Sequence, residues 1–155
     1  MLVLAHLEKI DRLEAGRRRL DPFDDYELWY FAALTGCVNA MNAALHALGV
    51  TVAENCFAHN VPVYFQLEDN AGTFEPLIRP FGDIEHIDSP EIEAIVPPEL
   101  AEAKRALIWL EAIRESSIRG DLKITRELID GVEAAYETCL RVARSAVARA
   151  EGGAP

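Results

Sequence analysis

Apolar residues recur at three- and four-residue intervals over four segments of this chain, the period that puts them on one face of a helix. In the first segment, residues 2–19, Val3, Leu7, Ile10, Leu13 and Leu20 form the stripe, while Glu8 and Arg12 fall four apart on the opposite side. Arg17, Arg18 and Arg19 close this helix, where cations complement the macrodipole; a nucleic-acid patch is the alternative reading of the triplet. The second helix opens at Asp21-Pro22, with an N-cap followed by proline at the first helical position, or at a capping box formed by Asp24 and Glu27. Gly49 stops it after Leu48, which gives about 25 residues and roughly 37 Å at 1.5 Å per residue. Pro97-Pro98-Glu99 opens the third helix, with Leu100, Ala103, Leu107, Leu110 and Ile113 on one face and Trp109 beside them. The fourth carries the most regular stripe, Leu128, Val132, Ala135, Cys139, Val142 and Ala146.

Between the second and third helices the period changes from 3.6 to 2. VPVYFQL and TFEPLIRPF are rich in Val, Tyr and Phe and are separated by EDNAG, a turn-forming set, which predicts a hairpin. Pro62, Pro76 and Pro80 lack the N–H that a central strand donates, so both strands belong at an edge. The expected fold is therefore mainly α: a single domain over residues 1–155, an antiparallel four-helix bundle with a β-hairpin and acidic loop inserted at about 50–97.

Charge sharpens this division. The chain carries a formal net charge of −11. Residues 49–99 hold ten carboxylates against one base, Arg79, a balance of −9. Such a balance argues against binding DNA, whose affinity for proteins rests on Lys and Arg neutralising phosphates. The insertion reads as an acidic arm anchored by Tyr64, Phe65 and Phe74. Leu28–Ala53 is a stretch of 26 residues without Asp, Glu, Lys or Arg, long enough for a membrane span. Thr35, Asn39, Asn42, His46 and two glycines interrupt it, so a buried helix off the membrane is expected. The three cysteines, Cys37, Cys56 and Cys139, have no paired short spacing and no secretory signal precedes them, which implies reduced thiols in a cytoplasmic protein.

The second helix carries three unlike ridges. Leu34, Val38, Met41, Leu45 and Leu48 are large and apolar; Ala33, Cys37, Ala40, Ala44 and Ala47 are small enough for another helix to approach closely. Thr35, Asn39, Asn42 and His46 make a neutral polar ridge without the Lys or Glu of a solvated face. Buried polar groups need partners, so this ridge belongs to a hydrogen-bonded core, to a subunit seam or to a pocket. In a pocket the carboxamides would orient a polar substrate and His46 would move a proton.

Other chemistry has less support. HExxH, CxxC, GxSxG, phosphate-loop and dinucleotide-binding signatures are all absent, and no cofactor is expected. A metal site could be assembled only in space, from His59, His86 and acidic-loop carboxylates, and a Cys56–His59 pair is the sole nucleophile arrangement by spacing. Arg79-Pro-Phe-Gly-Asp-Ile-Glu-His86 has an R-x6-H spacing and in this resembles the helical-bundle ribonucleases of the HEPN type. The resemblance covers these two residues and implies a ribonuclease-type bundle using Arg79 and His86. Pro80 and Gly82 depart from the helix in which that family holds its motif, and the chain's acidity disfavours RNA. The leading expectation is a homodimeric binding or regulatory module, with a protein or small molecule as further partner. The alternative is an enzyme with a pocket lined by Thr35, Asn39, Asn42 and His46.

Overall fold

A computed structural model describes residues 1–51, 63–67, 74–78, 96–120 and 122–152, with backbone alone for 63–67 and 74–78. The chain is mainly helical: α1 (Val3–Arg17), α2 (Tyr26–Ala47), strands β1 (Val63–Leu67) and β2 (Phe74–Ile78), a 3-10 turn (Pro98–Leu100), α3 (Ala101–Arg119) and α4 (Arg126–Gly152). The strands pair antiparallel with Val63 opposite Ile78 and Leu67 opposite Phe74. Pro76 lies opposite Phe65, tolerable because a two-stranded sheet has only edges.

Helix ends follow local chemistry. Asp21 Oδ1 accepts from the backbone N–H of Phe23 and Asp24 at 2.8 and 3.1 Å, and Asp25 Oδ2 accepts from the Asp21 N–H at 3.0 Å. This reciprocal arrangement caps a turn that carries the chain into α2 at Tyr26, four residues after Pro22. Asp21 thus caps the turn before the helix and not α2 itself, whose N-cap position is Asp25 without a side-chain cap; neither the Asp21-Pro22 start nor the box of Asp24 and Glu27 forms, and α2 has 22 residues rather than about 25. At its other end Gly49 N–H donates to His46 O and Val50 N–H to Leu45 O, at 3.1 and 3.0 Å. That is a Schellman stop, and it places Gly49 at φ +70°, a conformation that costs a side chain-bearing residue steric strain.

Packing is pairwise antiparallel between sequence neighbours. His6 meets Asn39 and Arg17 meets Trp29, so α1 runs against α2. Tyr30 Oη donates to Leu110 O and Tyr26 meets Ser117, so α3 also runs against α2. Cys139 Sγ donates to Ala103 O at 3.4 Å, which sets α4 on α3. The fully buried core draws on every helix: Ile10, Tyr30, Leu34, Met41, Leu45, Leu107, Leu110 and Val132. Each such aliphatic side chain stabilises the fold by roughly 1.5–3 kcal/mol. α2 is central, with 16 of its 22 residues buried.

The alanine ridge of α2 is used inside the chain. Ala33, Cys37, Ala40 and Ala44 are fully buried, and beside them a Cβ at Gly36 would stand 2.8 Å from Tyr136 Cε2. The close helix approach that these small residues permit is made within the chain, by α4 at Tyr136. The arginine triplet also divides: Arg17 is buried among aromatic rings, while Arg18 and Arg19 face outward, so the three form no common patch. No helix among the described residues is long and apolar enough to cross a membrane.

Candidate functional site

The polar ridge of α2 is brought together, and α1 adds a residue that the second helix alone does not reveal. Asn39, Asn42 and His46 are 4%, 2% and 8% exposed. Asn39 Nδ2 donates to the Thr35 carbonyl at 2.7 Å, one turn back along the helix. This fixes the carboxamide, leaving Asn39 Oδ1 as an acceptor for His6 Nδ1–H at 2.9 Å. His6 is 1% exposed and its ring lies 5.4 Å from that of His46, tilted by 38°. His46 Nδ1 in turn shares a hydrogen bond of 2.7 Å with the Thr51 hydroxyl, just beyond the Gly49 stop.

A polar ladder therefore runs through the α1–α2 seam, from the Thr35 carbonyl by way of Asn39 and His6 to His46 and Thr51. The Thr35 hydroxyl itself has no hydrogen-bond partner among the described residues. His6 was legible as a fourth-residue neighbour of buried Ile10, but its role depends on α1 lying across Asn39. Hydrogen bonds join Thr35, Asn39 and His6 at one end and His46 and Thr51 at the other, with a ring contact between the two histidines, and such pairing offsets the desolvation cost of a buried polar cluster.

Two clefts lined by described residues lie elsewhere, and neither is lined by Thr35, Asn39, Asn42 or His46. The first, of about 430 Å³, opens between the start of α2 and the end of α3. Its apolar wall holds Phe23, Leu28, Leu122 and Ile124, and its rim holds Asp24, Asp25 and Glu27. Tyr26 and Ser117 meet at its base through a 3.1 Å hydrogen bond. Burial raises the Tyr26 phenol above its ordinary value, so it remains a neutral donor or acceptor. Phe23, Leu28 and, one turn on, Phe31 are 44%, 66% and 45% exposed. The second cleft, of about 310 Å³, lies between α1 and α4 and is lined by four arginines and three glutamates.

No group of three or more His, Cys, Asp or Glu among the described residues is placed to hold a metal ion. His59, Arg79, His86 and Cys56 lie outside the described residues, and with them the R-x6-H spacing, the metal candidates and most of the acidic arm apart from its two strands. Cys37 and Cys139 are free, buried thiols, and burial together with the adjacent Cys139 pushes the Cys37 thiol up, the wrong direction for a nucleophile. No family model matches this chain, and neither a curated protein nor a solved structure matches it.

Proposed function

We propose that this protein is a four-helix bundle carrying a hairpin insertion, and that it works by binding rather than catalysis. Its docking face is the open side at the start of α2, and the occupant is a partner segment that is apolar and cationic. The observation that carries this reading is the exposure of Phe23, Leu28 and Phe31 beside the rim carboxylates Asp24, Asp25 and Glu27. Leu28 and Phe31 are three apart on one helical face, and such a contiguous apolar surface signals interaction more than a scattered residue would. The rim adds charge complementarity, and a chain of net charge −11 attracts a basic partner at long range. The buried free thiols fit a reducing, cytoplasmic setting. The enzymatic alternative has less support, because His46 spends its Nδ1 on Thr51 and Asn39 spends both ends of its amide within the chain.

A labelled helical peptide with Leu on one face and Lys on the other is a direct probe, with a scrambled peptide of equal charge as control. Saturable binding of the amphipathic peptide alone is expected, and it should be lost in the double variant Leu28→Asp/Phe31→Asp. Both residues are exposed, so the variant's melting temperature should hold. Equal binding of both peptides, or binding undiminished in the variant, would overturn the reading. Light scattering of the same samples covers the homodimer: a dimer that dissociates in the double variant would make a second copy, not a basic segment, the occupant.

A further inference from the structure

The cleft between α1 and α4 has a different chemistry from the rest of this acidic chain, and it carries an inference independent of the docking face. Arg17, Arg18, Arg141 and Arg144 line it together with Glu14, Glu133 and Glu137, a balance of +1 over the lining, while Asp11 and Glu102 beside it pair with Arg144 and Arg141. At its centre Arg17 is only 6% exposed. Its guanidinium lies 4.1 Å from the Tyr136 ring centroid and 5.1 Å from that of Trp29, stacked between helices α4 and α2. Its fork is held on Glu133, with Nη1 and Nη2 donating at 2.5 and 2.9 Å. This arginine is oriented by packing before any ligand arrives.

The outer three are held differently. Arg18 and Arg144 share one carboxylate, Glu14, and Arg144 reaches Asp11 and Glu14 only at 3.3 and 3.5 Å. Arg141 turns away to Glu102 on α3 at 2.8 Å. The three arginines are exposed, and although Glu14 is only 19% exposed, pairs with so much solvent on the cation are worth little each. Arg17 Nε and Tyr136 Oη are buried with no hydrogen-bond partner among the described residues, the Tyr136 ring edge lying against Gly36 of α2.

We propose that this cleft binds the phosphoryl group of a small molecule. A tetrahedral oxyanion presents oxygens in several directions, which suits guanidiniums arriving from two helices better than the single plane of a carboxylate does. A volume of about 310 Å³ admits a small ligand and not a folded polyanion, in keeping with the chain's repulsion of nucleic acid. Glu133 remains as the counterion that keeps Arg17 in place, and Arg18 and Arg144 swing from Glu14 onto the ligand.

The test is calorimetric titration of the full chain with pyrophosphate, inorganic phosphate and citrate at constant ionic strength, in wild type and in Arg18→Gln/Arg144→Gln. Both substituted residues are exposed, and a melt confirms folding before titration. Saturable binding of pyrophosphate is expected, tighter than citrate and weakened at least about tenfold in the double variant, since each lost charged hydrogen bond is worth about a factor of ten. A paired variant on another surface, Arg105→Gln/Arg119→Gln, should bind as wild type. Absence of saturable pyrophosphate binding at millimolar ligand would overturn the proposal. So would equal affinity in wild type and Arg18→Gln/Arg144→Gln, or equal weakening by the remote pair, which would mark the effect as general charge.

Discussion

Among single residues, Asn39 sets the strictest condition. It is 4% exposed, its Nδ2 is committed to the Thr35 carbonyl, and its Oδ1 is the acceptor for His6, itself 1% exposed. Removing either member takes a hydrogen bond from the other in a place that water does not reach. Asn39→Leu and His6→Phe should each lower stability by about 1–3 kcal/mol. The double variant should cost less than the sum of the two, because the polar group that each single change leaves short of a bond is gone. Urea melts of the four proteins give the coupling energy directly. Additive losses would show that the bond contributes nothing beyond packing.

Between elements, the contrast is that of buried and exposed ion pairs. Arg17–Glu133 ties α1 to α4 with the arginine side chain 7% exposed and the glutamate 41% exposed, whereas Arg119–Glu115 lies within α3 with both side chains more than half exposed. Glu133→Gln leaves a guanidinium buried without its counter-charge, and it should destabilise the fold by about 1–3 kcal/mol, the partial exposure of Glu133 holding the loss below that of a fully buried pair. Arg119→Gln should change stability by less than about 0.5 kcal/mol. The two melts need no ligand. A loss in Glu133→Gln no larger than in Arg119→Gln would mean that stacking on Trp29 and Tyr136 alone holds Arg17.

For the molecule as a whole, acidity reaches into stability through Glu111. Burial pushes its carboxyl from an ordinary value of 4.5 up to about 7, although Arg114 Nε donates to it at 3.1 Å. A raised carboxyl pKa means that the folded chain holds this proton after the unfolded chain has released it. Stability due to this group is therefore full below pH 4.5 and declines as pH rises toward about 7, the reverse of a salt-bridged carboxylate. The difference in melting temperature between wild type and Glu111→Gln should shift in favour of the variant across that interval. A difference that stays constant from pH 4.5 to 7 would place Glu111 at its ordinary value.

Periodicity alone determined the four helices, because a 3.6-residue stripe reports a face that must be buried whatever buries it. The Ala103–Leu110 and Val132–Ala146 stripes are the buried faces of α3 and α4, and Gly49 and Gly120 end α2 and α3 at positive φ, as local steric rules require. The polar ridge of α2 was also legible, since four neutral polar residues without a charge do not belong in water. What it faces was not legible. Only the placement of α1 decided that His6 would complete the ladder, and only the approach of α4 to Gly36 decided that the alanine ridge would be spent within one chain. The same holds for the arginine triplet and for Leu28 and Phe31. Sequence spacing says which residues share a face, but which faces meet is settled by contacts distant in sequence, such as Arg17 with Glu133, whose energies no local pattern contains.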